Sequence, residues 1–213
     1  MVHCNAAISP VEPMMYLSKN EDEQDVNPTQ YRRLIESLCY LCNTRPNLAF
    51  SVSIVSRFTV RPNLSHLEAV KRILCYVKGS FGCGILFPAT DTGIKCNLLG
   101  FTDSNWCGDK DDRTSIARYI FMFDATPISW CSKKEPLIAL SSYEAEHIVT
   151  SLCVCQPVWL MNLLEELGNS DSEVITLLAD KVSTINFAKN PIVHGMSKHI
   201  EMRFHYLREL VSD

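Results

Sequence analysis

The sequence lacks an excess of basic residues, since 20 Lys and Arg stand against 24 Asp and Glu, a formal net charge of −4. Nucleic-acid-binding domains are usually basic, so the bulk charge does not favour one, although local basic clusters can still contact phosphates. No run reaches the roughly 18 apolar residues of a membrane span, and residues 1–15 lack the pattern of a signal peptide. We therefore expect an intracellular protein, cytoplasmic or nuclear, that is neither secreted nor bound to a membrane.

The ten cysteines do not have the spacing of a zinc site or a disulfide scaffold. Cys39 and Cys42 form the only C-x-x-C pair, and no second pair follows at zinc-finger spacing. The pair lies inside an apolar helical pattern, and thiols outside a secretory compartment stay reduced. We therefore expect reduced cysteines that are buried in the core.

The first part of the chain has helical periodicity after an aperiodic tail at residues 1–26. Asn27-Pro28 is typical of a helix start, with Asn as the N-cap and Pro at the first helical position. Ser65 and Glu68 have the spacing of a capping box, and Gly79 is a typical helix end. We predict helices at about 27–43, 47–58 and 65–79.

The remainder of the chain has an α/β pattern with an antiparallel start. Short apolar runs bounded by turn residues predict strands, and a long helix with a kink at Pro157 follows four of them. The predicted strands are Gly84–Phe87, Cys96–Asp103, Arg118–Phe123, Pro127–Cys131 and Val174–Leu178, and the predicted helices are Ser142–Leu167, Ser183–Lys189 and His199–Val211.

Three acidic residues have positions that suit a metal site. Asp103 and Asp180 follow strand-like runs, and Glu146 lies in the first turns of the long helix. Adjacent strands would bring the two aspartates side by side at their carboxyl ends, and a helix packed on the sheet could add the third carboxylate. Spacing alone leaves simpler roles open, since Asp103 could form a turn, Glu146 could be solvated and Asp180 could cap a helix.

Several motifs, in order along nearly the whole chain, resemble the ribonuclease H region of copia-type LTR retrotransposon Pol polyproteins. The upstream helices are similar to the segment that joins reverse transcriptase to ribonuclease H in that family. The matching runs are FTDSNWCGDKDDRTS (101–115), PISWCSKK (127–134), ALSSYEAE (139–146), DKVSTI (180–185) and the stretch 189–205.

The resemblance implies a fold and a domain order. We expect an α/β, ribonuclease H-like mixed sheet with flanking helices, preceded by a small helical connection segment. The implied domains are 1–26, an extended tail of reverse transcriptase; 27–80, the connection; and 84–213, the ribonuclease H-like domain without its last strand and helix. In the full polyprotein the chain would be attached to reverse transcriptase.

The resemblance also implies an activity, the metal-dependent endonucleolytic hydrolysis of RNA in RNA–DNA hybrids. Asp103, Glu146 and Asp180 would be the catalytic carboxylates and the ligands of two Mg²⁺ ions, which Mn²⁺ could replace. Glu144 competes with Glu146 for the helix position, and helical geometry favours Glu146 because it lies nearer the edge of the buried face. The hybrid would be recognised by its shape and 2′-hydroxyls.

Departures from the family pattern support an alternative. Arg118 replaces a family glycine, and Lys181 stands beside Asp180. A last strand and the short helix that bears a fourth carboxylate in the family are expected to be lacking. The alternative is a catalytically inactive transposon remnant that folds and at most binds nucleic acid. A host enzyme of another class has no support, because the sequence contains no kinase glycine loop, P-loop or nucleophile elbow.

Overall fold

The computed structural model describes residues 4–12, 17–19, 22–88, 98–135, 138–168 and 176–179. The chain divides into two compact units, each described by itself below. The first unit comprises Met1–Leu86, Gly108–Arg113 and Ser132–Lys134, and the second comprises Phe87–Cys107, Thr114–Cys131 and Glu135–Asp213. The domain boundaries that the sequence predicts, at residues 26, 80 and 84, remain predictions.

The first unit contains the three helices that the sequence predicts. They are α1 (Pro28–Cys42), α2 (Ala49–Val55) and α3 (Leu64–Gly79), and short 3-10 turns extend α2 at both ends. Their apolar faces form one core, in which the hydroxyl of Tyr31 donates a 2.8 Å hydrogen bond to the carbonyl of Val55. The core residues are Tyr31, Ile35, Leu38, Leu48, Val52, Val55, Ala69, Val70 and Ile73.

The caps explain where these helices begin. The side chain of Asn27 accepts from the backbone N–H groups of the first turn of α1, as predicted. The predicted capping box of Ser65 and Glu68 is wrong, because α3 begins earlier, at an Asn63 cap. The side-chain oxygen of Asn63 accepts from the N–H of His66, and the ring Nδ1 of His66 accepts from the N–H of Asn63. Burial lowers the pKa of His66, which favours the neutral ring that this cap requires.

The cysteines of the described residues differ in burial. The nine cysteines in the described ranges are free of disulfides. The prediction that Cys39 and Cys42 are core residues is wrong for Cys39, which is exposed. The buried stripe of α1 runs through Ile35 and Leu38. One residue further along the helix, Cys39 is turned by about 100° away from this stripe.

The second unit is built on a four-stranded mixed sheet with the order β3-β2-β1-β4. Strand β1 pairs antiparallel with β2 and parallel with β4. The predicted α/β class, with a mixed sheet and helices, is therefore confirmed, and helical segments precede the sheet along the chain. The strands are β1 (Leu98–Asn105), β2 (Ile116–Phe123), β3 (Thr126–Lys134) and β4 (Thr176–Ala179).

Two strand predictions need correction. Residues 84–87 form no strand. Leu86 and Phe87 are 77% and 71% exposed, so burial does not stabilise an extended pairing there. Strand β1 continues two residues past Asp103, because its ladder with β2 extends to the pair Asn105 and Ile116. The predicted helices at 183–189 and 199–211 lie outside the described residues.

The long helix breaks where the sequence predicts a kink. Helix α4 (Ser142–Cys153) ends at Cys153, and α5 (Cys155–Glu166) follows after Val154. Pro157 has no N–H to bond the carbonyl of Cys153, four residues earlier, and its ring crowds that carbonyl. The proline therefore breaks the helix one turn before its own position.

By length and composition alone, the run Glu144–Glu166 could cross a membrane. A core helix of a soluble protein passes the same test. Ala145, Ile148 and Val149 of this run are buried in the described fold, which favours the role of a core helix. The absence of membrane association remains a prediction.

Close packing at the centre of β1 requires a glycine. A Cβ atom added at Gly100 would lie 2.6 Å from Cε1 of Phe121 and 2.7 Å from Cδ1 of Leu177. Phe121 is fully buried with Leu98, Cys153 and Leu160, so its ring has little room to move. The absence of a side chain at Gly100 therefore lets the residues from β2 and β4 pack over β1.

We predict that Gly100→Ala destabilises the fold by about 1–3 kcal/mol, the usual cost of overpacking a core. Gly84→Ala is the matched control, because a Cβ there meets no atom within 4 Å. Chemical denaturation followed by circular dichroism measures both changes. Equal midpoints for Gly100→Ala and the unsubstituted chain would show that the packing at β1 is loose.

Candidate active site

Asp103 lies on β1 directly opposite Arg118 of β2. The two side chains form an ion pair between Oδ2 of Asp103 and a terminal guanidinium nitrogen of Arg118. Side-chain exposure is 50% for Asp103 and 33% for Arg118, so water reaches both groups. The structure thus gives Asp103 a cationic partner that the resemblance did not predict.

The alternation of side chains along β1 decides which face of the sheet each residue occupies. Leu98 packs with Phe121 and with Cys153 at the end of α4, so this face of the strand is covered by helix. Thr102, four residues on, is buried on the same face. Asp103 projects from the other face, together with the partly exposed Phe101. This placement opposes the predicted convergence of Asp103 with Glu146 of α4, and the convergence stays a prediction.

Glu146 and Glu144 have different environments. Glu146 is only 3% exposed, which is unusual for a glutamate. Glu144 lies in the first turn of α4, where its Oε2 accepts a 2.6 Å hydrogen bond from the N–H of Leu140. Its own N–H donates to the hydroxyl of Ser141, the N-cap. Glu144 thus stabilises the N-terminal turn of α4, and Glu146 is the inward carboxylate.

Asp180, the third predicted ligand, lies outside the described residues. The parallel ladder of β1 and β4 is described as far as the pair Thr102 and Ala179. Within the described ranges, no group of three or more His, Cys, Asp or Glu side chains is placed to hold a metal ion. The three-carboxylate site is thus neither assembled nor excluded by the described residues.

A second acidic residue of the same motif, Asp109, is the centre of a buried ion network that sequence reasoning missed. Its Oδ2 accepts 2.8 Å hydrogen bonds from Arg57 and Lys134, and its Oδ1 accepts from the N–H of Asp111. Lys134 also pairs with Asp112 at 2.5 Å. The ammonium group of Lys134 therefore contacts two carboxylates of this segment.

The network shifts the pKa values of its members. Burial raises the pKa of Asp109, but the hydrogen bonds from Lys134 and from the N–H of Asp111 outweigh it, so the pKa is below its ordinary value. Burial lowers the pKa of Lys134, and its bonds to Asp109 and Asp112 outweigh this, so the pKa is raised. Both pKa shifts extend the pH range over which the two groups are charged. The charged forms of both groups therefore stabilise the fold.

Comparison with known proteins places the chain beside transposon polyproteins. The retrovirus-related Pol polyprotein from transposon TNT 1-94 of Nicotiana tabacum is 38% identical over 194 residues, 91% of this chain and 14% of that protein. The one from transposon RE1 of Arabidopsis thaliana is 34% identical over 211 residues, 99% of this chain and 14% of that protein. The secreted RxLR effector protein 161 of Plasmopara viticola is 35% identical over 131 residues, 61% of this chain and 90% of that protein.

The chain thus spans 14% of the length of each of the two Pol polyproteins. No protein-family model matches the chain, and no solved structure matches it.

We predict that Asp109→Asn destabilises the fold by about 3 kcal/mol or more, because Arg57 and Lys134 lose the buried carboxylate that neutralises them. Asp25→Asn is the matched control. Its ion pair with Arg61 is exposed, so the expected loss is below about 1 kcal/mol. Urea denaturation at neutral pH measures both. A loss at Asp109 as small as that at Asp25 would contradict a structural role for the network.

The same network predicts a dependence of stability on pH. A carboxyl whose folded pKa is lowered contributes stability above its unfolded pKa of about 3.9, and that contribution is lost as pH falls through the folded pKa. The difference in unfolding free energy between the unsubstituted chain and Asp109→Asn should therefore be constant near neutrality and shrink below about pH 4. If this free-energy difference grew on acidification instead, the pKa of Asp109 would not be lowered by folding.

Proposed function

Because the chain belongs to the retrovirus-related Pol polyproteins of copia-type transposons, we propose that it supplies their ribonuclease H activity. The proposed reaction is the Mg²⁺-dependent, endonucleolytic hydrolysis of RNA in RNA–DNA hybrids. The proposed ligands are Asp103, Glu146 and Asp180, and the proposed partner is the hybrid itself.

The register of β1 and β4 is the observation that carries the proposal. Thr102 and Ala179 are paired in a parallel ladder. The next residues in the sequence are Asp103 and Asp180, both carboxylates. A register that continues for one more residue would set these two carboxylates side by side on the same face. Two unrelated strands have no reason to place acidic residues at matched positions, whereas a cation site does.

The chemistry of the donors fits a hard cation. Mg²⁺ prefers carboxylate oxygens and keeps open positions for water and phosphate oxygens. Bound ions would supply an activated water and neutralise charge on the phosphodiester. The chain's own carboxylates would hold the ions and orient the substrate, and the burial of Glu146 supports an inward role for it. Two features oppose this fit. Asp103 is paired with Arg118, and it projects from the face of β1 opposite the one that helix covers.

That ion pair favours a second candidate function, a catalytically inactive remnant that folds and at most binds nucleic acid. A guanidinium is permanently charged, so Arg118 can replace a metal as the counterion of Asp103. In this case Asp103 would stabilise the sheet and coordinate nothing.

We predict that the chain cleaves a fluorescent RNA–DNA hybrid with millimolar Mg²⁺ and not with EDTA. Metal ions contribute several kcal/mol to such reactions, so Asp103→Asn, Glu146→Gln and Asp180→Asn should each slow cleavage by at least about 100-fold. Glu144→Gln is the matched control on α4 and should retain most of the activity. Duplex RNA and duplex DNA are the substrate controls.

The inactive remnant gives a different result in the same assay. It would melt cooperatively and at most shift the hybrid in a gel, but it would cleave nothing at any Mg²⁺ or Mn²⁺ concentration. Cleavage that survives Asp103→Asn would contradict both candidates, because it would come from another site or from a contaminant.

A further inference from the structure

Arg118 and Asp103 are held opposite each other by a long ladder. The β1–β2 register runs without interruption from the pair Leu98 and Phe123 to the pair Asn105 and Ile116. A slip by one residue would move every side chain of a strand to the wrong face, so this register is fixed. Arg118 therefore remains next to Asp103 as long as the sheet is folded.

We propose that Arg118 is a built-in competitor for divalent cations at Asp103 and sets the affinity of that carboxylate for metal. The inference rests on the proposed function, since it concerns the same carboxylate. The guanidinium forms an ion pair with Oδ2 of Asp103, the type of oxygen that a hard cation would take. Its positive charge also repels an approaching divalent ion.

Solvent exposure decides the strength of this competition. With Asp103 half exposed and Arg118 one-third exposed, water screens the pair, and such pairs are weak. A divalent ion can therefore displace Arg118 at a moderately higher concentration. Arg118 shifts the metal affinity by a modest factor and does not abolish binding. The carboxylate of Asp109, which is only 6% exposed and has two cationic partners, would not exchange them for a metal in this way.

The test is a titration of the full chain with Mn²⁺, in which electron paramagnetic resonance measures the unbound metal. Arg118→Gln removes the charge but keeps a polar side chain of similar length, and we expect it to bind Mn²⁺ at least about threefold more tightly than the unsubstituted chain. Arg118→Lys keeps the charge and should stay near the original affinity. Arg61→Gln is the matched control, because it removes the same charge from an exposed pair with Asp25.

The double variant Asp103→Asn with Arg118→Gln locates the ion. If Asp103 is the ligand, the gain of Arg118→Gln disappears in the double variant. Equal affinities for Arg118→Gln and the unsubstituted chain, or an equal gain in Arg61→Gln, would overturn the inference. So would a gain that persists without Asp103. If Arg118→Gln does not fold, Arg118→Met, which keeps the aliphatic stem on the strand, provides the same comparison.

The outcome is separable from that of the proposed function. Tighter Mn²⁺ binding by Arg118→Gln without any cleavage of a hybrid would support the competition and count against the nuclease. Cleavage by the unsubstituted chain with no change of metal affinity in Arg118→Gln would support the nuclease and overturn the competition.

Discussion

The double pairing of β1 is the constraint on which the second unit depends. This strand is antiparallel to β2 on one edge and parallel to β4 on the other, so its register determines the positions of both neighbours. This packing requires a residue without a side chain at the centre of β1, because the side chains of Phe121 and Leu177 lie close to the backbone at Gly100. The same register that packs the core on one face also brings Asp103 and Arg118 together on the other.

Much of the fold could be predicted from local signals. The Asn27-Pro28 cap, the end of α3 at Gly79 and the break before Pro157 are stereochemical effects of single residues, and the structure has each of them. The failures come where local signals compete or where burial decides. Asn63 caps α3 in place of Ser65 because Asn63 and His66 form two reciprocal hydrogen bonds. The apolar run at 84–87 forms no strand because its side chains are not buried.

The candidate site was less predictable than the fold. Position along the chain suggested Asp103, Glu146 and Asp180 as ligands but left ordinary turn, surface and capping roles open, and only the resemblance favoured the metal site. The partners of the acidic residues were beyond local reasoning, since Arg57 is 52 residues from Asp109 in the sequence. The ladder that places Arg118 opposite Asp103 is equally non-local. Contacts of this kind depend on tertiary packing, which one sequence does not display.

Burial assigns different roles to the acidic residues of the motif at 101–115. Asp109 is 6% exposed and is held by two cationic side chains and a backbone N–H, so its lone pairs are occupied and its removal leaves buried charge behind. Asp103 is paired with Arg118 and is half exposed to water, so exchange of that partner costs little. A carboxylate of the first kind stabilises a fold. Only a carboxylate of the second kind can exchange its counterion for a metal ion. This physical difference, more than the sequence motif, is the reason that the proposed metal chemistry depends on Asp103.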